Sequence, residues 1–155
     1  MSQNLDKLFC IKKINASKKV RNKILFETTI SVLVNHLNYG NHLGHDAMLC
    51  ILQEARMRWL KSLTNNTSEL YIQNNIGWLV KRIEIDILSE SFHGDVLQIQ
   101  LSVDENKQSH FIIDYCVKNL TRNEEQCRAK TQMVCYDFQN KKIARIPDVI
   151  LNILN

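Results

Sequence analysis

His36-Leu37-Asn38-Tyr39-Gly40-Asn41-His42-Leu43-Gly44-His45-Asp46, running on into helix-spaced sequence as far as Leu63, is the stretch from which the rest of the chain can be read. Its first eleven residues hold three His, two Asn, two Gly, a Tyr and an Asp, which makes them polar, flexible and rich in reactive groups. From Asp46 the pattern changes. Met48, Ile51, Leu52, Ala55 and Trp59 fall on one stripe at helical spacing, with Leu49 and Leu60 widening it. Asp46 stands where an N-cap is expected, since a carboxylate accepts from the unpaired N–H groups of a first turn. Glu54 and Arg58 are spaced i, i+4 in the favourable order, and Thr64-Asn65-Asn66-Thr67-Ser68 ends the helix.

Strand-like sequence lies on both sides of this segment. Ile24, Phe26, Thr28, Ile30, Val32 and Val34 alternate with Glu27, Thr29 and Ser31, the spacing of a half-buried strand. Downstream, Ile76 to Leu88 switches its apolar set from Trp78 and Val80 to Ile83, Ile85 and Ile87, which predicts a bulge near Lys81-Arg82. His93-Gly94-Asp95 predicts a turn, and Leu97, Ile99, Leu101 and Val103 alternate after it. A turn at Asp104-Glu105-Asn106-Lys107, the alternating set Phe111, Ile113, Tyr115 and Val117, and a last long strand from Arg128 to Phe138 follow. Pro147 opens a short helix through Ile153. Short turns join antiparallel neighbours, and one long helix with a broad apolar stripe needs a sheet to cover it. The order therefore predicts an α+β fold, with an antiparallel five-stranded sheet wrapped around one long helix.

The bulk numbers set bounds. A chain of 155 residues, 45% hydrophobic and 23% charged, fits one globular domain with a real core. The net charge of +4 is unevenly spread: residues 1–23 hold seven Lys/Arg against Asp6, a net of +6, which leaves −2 for the rest. The division expected is a basic N-terminal arm over 1–23 and a single domain over 24–155. The arm is a solvated tail or a contact for an anionic surface. It has no interleaved aromatic stacking pattern, so nucleic acid is not the expected partner. No apolar run reaches the length of a membrane span, and no secretory h-region follows the early lysines. Cys10, Cys50, Cys116, Cys127 and Cys135 are odd in number, widely spaced and without C-x-x-C, as expected of reduced thiols in a cytoplasmic protein.

The residues also carry a resemblance. Asn38-Tyr39-Gly40-Asn41-His42-Leu43-Gly44-His45-Asp46 followed by Glu54-Ala55-Arg56 resembles the loop and helix start of the hotdog-fold acyl-CoA thioesterases, in the 4-hydroxybenzoyl-CoA thioesterase-like branch. Gly94-Asp95, Ala129-Lys130-Thr131, Asp137 and Ile146-Pro147 resemble later pieces of the same pattern, in order, so that the likeness runs from about Ile24 to Pro147. It implies a long helix wrapped by an antiparallel sheet, homodimers or homotetramers with sites at the subunit interface, and hydrolysis of a thioester on coenzyme A or acyl-carrier protein. No cofactor is implied beyond the coenzyme A of the substrate. The chain departs from the pattern in three places. Many members have a catalytic Asp where this chain has Asn38, and His36 and His45 replace an Asp and an Asn. An Asn-Tyr-Gly-x-His-Leu-Gly-x-Asp version also occurs in the family.

Thioester hydrolysis needs a stabilised carbonyl oxygen, an activated water or attacking carboxylate, and a substrate held in register. Backbone N–H groups around Gly44, His45 and Asp46 would meet the first need at a helix N-terminus. For the proton chemistry the candidates are Asn38, His42 and Asp46, with Asn38 and His42 positioning water and carbonyl and Asp46 acting as base or orienting carboxylate. Tyr39, Gly40, Gly44 and His45 are candidates for substrate positioning or the oxyanion site, though Tyr39 is expected to pack rather than react. Glu54 stands two turns further on as a supporting residue or an ion-pair partner. Lys130, Lys141, Lys142 and Arg145 are possible phosphate contacts or solvated surface.

Three other readings stand beside the hydrolase. His36, His42, His45 and Asp46 offer metal ligands but lack a recognised metal spacing, so no metal is expected. A hotdog hydratase or dehydratase is a second enzyme class. A non-catalytic acyl-thioester-binding or partner-binding module is the main alternative, supported by Asn38 in the usual Asp position.

Overall fold

The computed structural model describes residues 23–65 and 68–154. Apart from Lys23, the basic arm expected over 1–23 lies outside the described residues. Strand β1 (Ile24–Ser31) is followed by a 3₁₀ turn (Val34–His36) and helix α1 (His45–Thr64). Strands β2 (Ile76–Ile87), β3 (Val96–Asn106), β4 (His110–Asn119) and β5 (Glu124–Asp137) come next. A two-residue strand β6 (Lys142–Ile143) and helix α2 (Asp148–Leu154) complete the described chain. The sheet runs β1-β3-β4-β5-β2, with every neighbouring pair antiparallel and β6 added beside β5. This is the predicted long helix and five-stranded sheet, plus the short β6.

The core forms where the two periodicities meet. Leu97, Ile99 and Leu101 of β3, Phe111, Ile113, Tyr115 and Val117 of β4, and Cys127, Ala129, Met133 and Cys135 of β5 are all buried. They share a core with Met48, Ile51, Leu52, Ala55, Trp59 and Leu60 of α1. Trp59 and Trp78 stack with centroids 6.1 Å apart, and Phe111 meets Trp78 edge-on at 5.3 Å. The predicted bulge in β2 is present, as a register shift between Val80 and Arg82.

Some local expectations are corrected. The alternation of β1 holds only from Phe26 to Val32, because a bulge between Ile24 and Phe26 interrupts the pairing with β3. Val34, expected on the apolar face, is 72% exposed. The ladder ends before it: the Val32 N–H donates to the Asp95 carbonyl, and the Gly94 N–H donates to the Val32 carbonyl. Leu49 does not widen the buried stripe of α1, and is exposed. Asp46 is not the N-cap, since Gly44 caps α1 in an extended conformation and the helix starts at His45. At the other end, Asn65 adopts a left-handed conformation and returns its N–H to the Lys61 carbonyl, a common helix stop. Strand β5 begins at Glu124, before the expected Arg128, because a turn through left-handed Asn123 hairpins it directly onto β4.

Helix α1 is tied to the sheet by a partly buried ion pair. Arg56 Nε donates to Glu69 Oε1 at 2.6 Å, and Trp78 Nε1 donates to the same oxygen at 2.6 Å. The Arg56 guanidinium also reaches the Tyr115 hydroxyl at 3.5 Å. Gly77 is required beside this network, because a Cβ there would collide with the backbone carbonyls of Glu69 and Leu70.

Candidate functional site

The loop between β1 and α1 folds back on itself. Leu37 and Leu43 form an isolated antiparallel bridge, and the Asn38 N–H donates to the His42 carbonyl at 2.9 Å. Between them the Asn41 N–H returns to the Asn38 carbonyl at 3.0 Å, with Asn41 in a left-handed conformation. The Asn38 side chain closes an Asx turn, its Oδ1 accepting from the Gly40 N–H at 2.8 Å. That leaves Asn38 Nδ2 3.5 Å from His42 Nε2, while His42 Nδ1 lies 3.3 Å from the Leu43 carbonyl. One tautomer serves both contacts: protonated Nδ1 donates to Leu43, and the Nε2 lone pair faces the Asn38 amide. A Cβ on Gly40 would press on the His42 ring at 2.9 Å, so this glycine makes room for the imidazole.

Gly44 is the junction. It is buried, and its N–H donates to the His36 carbonyl at 3.0 Å. The Asp46 carboxylate curls back over it, occupying the space a Cβ would need, and Asn38 Cβ lies 3.5 Å from that same point. The structure therefore places Asp46 and Asn38 Cβ against Gly44, at the start of a 20-residue helix, with His42 beside Asn38. Since the Gly44 N–H is committed to His36 and the Met48 N–H to the Gly44 carbonyl, the donors left for an oxyanion are the N–H groups of His45, Asp46 and Ala47. None of the three has an acceptor among the described residues.

The other sequence candidates are distributed differently. His45 is exposed on the first turn of α1. His36 faces the 3₁₀ turn, its Nδ1 accepting from the Leu33 N–H at 3.1 Å. Tyr39 does not pack as expected: it is fully exposed at the loop tip, where the tight turn of Asn38–His42 projects it away from the core. Glu54 is exposed and accepts from Arg58 Nε at 2.7 Å, and Arg58 continues to Thr28 Oγ1 and the Thr29 carbonyl, both at 3.1 Å. Lys130 is held by Asp104 at 2.5 Å and Asp114 at 3.5 Å, whereas Lys141, Lys142 and Arg145 are exposed around β6. Among the described residues no group of three or more His, Cys, Asp or Glu is arranged to hold a metal.

The support beneath the loop was not legible in the sequence. The Leu43 N–H donates to the Ser91 carbonyl at 2.8 Å. Ser91, Asp95, Asn119 and Gln126 form a buried polar network behind it. Asn119 Nδ2 donates to both Ser91 Oγ and Asp95 Oδ2 at 2.8 Å. Burial alone would raise the Asp95 carboxyl, but bonds from the Phe92 N–H, Arg122 and Asn119 outweigh it and hold the group below its ordinary value. Only Gly94-Asp95 signalled this region beforehand. A separate cavity of about 850 Å³ lies on the outer face of the sheet, lined by Gln98, Gln100, Asp114, Lys118 and Arg128, and includes no residue of the loop.

With this geometry in place, the relatives of the chain are informative. A family model described as the thioesterase-like superfamily matches residues 32–154. A 1,4-dihydroxy-2-naphthoyl-CoA thioesterase from Synechocystis superposes with a TM-score of 0.75 at 19% identity, over 83% of this chain and 94% of that one. A putative thioesterase from Pseudomonas aeruginosa gives 0.77 at 16% identity, over 86% and 100%. A Staphylococcus aureus protein solved in complex with CoA gives 0.76 at 13% identity, over 89% and 85%. At these identities the likeness is one of fold. No curated protein matches the sequence at a significant level. No described helix is long and apolar enough to cross a membrane.

Proposed function

Because the chain belongs to the thioesterase-like superfamily, we propose that it hydrolyses an acyl thioester of coenzyme A, or of acyl-carrier protein, to the free acid and the thiol. The observation that carries this reading is the approach of Asp46 and Asn38, the latter beside His42, to the unpaired first-turn N–H groups of α1. The substrate carbonyl oxygen accepts from the His45 and Asp46 N–H groups, where the helix dipole favours the charge that develops on it. Asn38 and His42 hold the attacking water. As its oxygen bonds to the carbonyl carbon, its proton passes to His42 Nε2 or to the Asp46 carboxylate. Collapse of the tetrahedral species breaks the C–S bond, and the proton follows the thiolate. Asn38 cannot itself take a proton, so the chemistry rests on the other two. That one structural relative acts on an aromatic acyl-CoA and another binds CoA supports coenzyme A as the carrier.

The working unit in this reading is a homodimer, paired through β2. Strand β2 is a 12-residue edge strand that leaves Leu79, Val80, Ile83 and Ile87 at least 41% exposed. An apolar edge of that length is normally covered. None of the four described cysteines is joined in a disulfide, which supports a reducing compartment such as the cytosol.

Release of free thiol from a panel of aliphatic and aromatic acyl-CoAs tests the reading. Turnover on at least one of them is expected. Tight acyl-CoA binding with no thiol released from any would instead support a binding module.

A further inference from the structure

The loop that carries His42 is fastened at both ends to one short segment, residues 91–95. At its start, the Val32 N–H and carbonyl are taken by Asp95 and Gly94, and at its end the Leu43 N–H is taken by the Ser91 carbonyl. Leu43 is also the residue whose carbonyl faces His42 Nδ1 at 3.3 Å. A shift of Ser91 is therefore passed to the imidazole through the Leu43 backbone.

Residues 91–95 are themselves held from below by the β4–β5 hairpin. Ser91 Oγ donates to Gln126 Oε1 at 2.5 Å and accepts from Asn119 Nδ2 at 2.8 Å. Gln126 Nε2 reaches the Ser89 carbonyl at 2.6 Å. Asp95 Oδ2 accepts from Asn119 at 2.8 Å, from Arg122 Nε at 2.7 Å and from the Phe92 N–H at 3.0 Å. The Arg122 guanidinium lies 4.4 Å above the Phe92 ring. Four polar side chains, each no more than 4% exposed, have thus been taken out of water. Burying them is costly unless every partner is in place, and a network so satisfied is rigid. Apolar residues would have filled this space at less cost, but they could not have held a backbone carbonyl in one position.

We propose that Ser91, Asp95 and Asn119 are positioning residues for thioester cleavage, a buried polar bracket that sets where the His42 imidazole stands in the β1–α1 loop. The proposal rests on the hydrolase reading above for its consequence, though not for its geometry. A small displacement of His42 lowers the rate of the chemical step while leaving substrate binding largely unchanged.

The test compares Ser91→Ala and Asn119→Ala with Met133→Ala, a core truncation on β5 outside the bracket. All are made in the full chain and checked for folding by thermal melting. In the two bracket variants the Leu43 amide should exchange with solvent about tenfold faster or more, and the His42 ring nitrogens should shift in the NMR spectrum. Their kcat on the best acyl-CoA should fall roughly tenfold or more with KM within about twofold. Met133→Ala should lower the melting temperature and leave the Leu43 exchange and His42 resonances in place. If Asn119→Ala does not fold, Ser91→Ala decides, since it keeps the backbone carbonyl and removes only the hydroxyl. A folded Ser91→Ala with unchanged Leu43 exchange and His42 resonances overturns the bracket, as does a change confined to KM. If the unaltered protein releases no thiol from any acyl-CoA, the hydrolase reading fails, while exchange and ring resonances still decide the bracket.

Discussion

The Asp46 carboxylate lies over Gly44, in the space a Cβ on that glycine would fill. The consequence is chemical as well as steric. A carboxylate that is not capping the helix is left against Gly44, near the same point as Asn38 Cβ, and the first-turn N–H groups remain unoccupied.

Gly44→Ala should fold, because the atom it displaces is the end of a flexible exposed side chain, but it should lose activity by swinging Asp46 away. In an Asp46→Ala background the same substitution should cost little more, so that the two effects on kcat/KM are strongly non-additive. Steady-state kinetics of the four proteins gives the coupling directly.

Asp46→Asn and His42→Ala should each lower kcat by about a hundredfold or more, the usual scale for losing a proton-transfer group. Asn38→Ala acts differently: it removes the bond to Gly40 Nα–H as well as the amide facing His42, so it should both slow turnover and loosen the loop. Hydrogen exchange at Gly40, read beside kcat, separates the two.

Arg56→Met should destabilise the fold by about 3–5 kcal/mol, since it leaves the Glu69 carboxylate without its buried partner. Urea unfolding checks this. Although Arg56 belongs to the Glu-Ala-Arg signature, its contacts with Glu69 and Tyr115 place it in the frame that holds α1 to the sheet.

Acid stability should depend on Asp95. Its folded pKa lies below the ordinary 3.8, so its contribution is fully present above that value and is lost as pH falls through the folded pKa. The melting temperature of the unaltered protein should therefore fall more steeply below about pH 4 than that of Asp95→Asn, which starts lower and lacks this term. Parallel curves for the two proteins would contradict the assignment.

Thiol reactivity should divide by burial. Cys127 and Cys135 are pushed up to about 12 by burial and should resist alkylation until the protein unfolds, whereas Cys50 and Cys116 are exposed. Mass spectrometry after brief iodoacetamide treatment, with and without urea, reads the difference.

What could be read in advance was whatever a local period or a local polar cluster encodes. Alternation marked β3 and β4, the apolar stripe marked α1, and the phase change at Val80 and Ile83 marked the bulge in β2. Asn38, His42 and Asp46 could be named as candidates for the same reason, since all three lie within nine residues. The cap was misplaced by two residues because Gly44 offers no side chain to announce itself, while Asp46 looks like a cap without serving as one. Ser91, Asn119 and Gln126 left no signal, because their bonds join residues 24 to 37 positions apart in the chain. Each is an ordinary loop or strand residue until the sheet brings them together.

In the proposed reaction His42 and Asp46 do the proton chemistry that Asn38 cannot. Free-thiol release from one panel of acyl-CoAs, run on the unaltered protein beside His42→Ala and Asp46→Asn, tests it most directly. The unaltered protein should turn over at least one thioester, with both variants folded and slower by about a hundredfold or more. Near-normal turnover in both variants, or no turnover of any thioester by the unaltered protein, would contradict it.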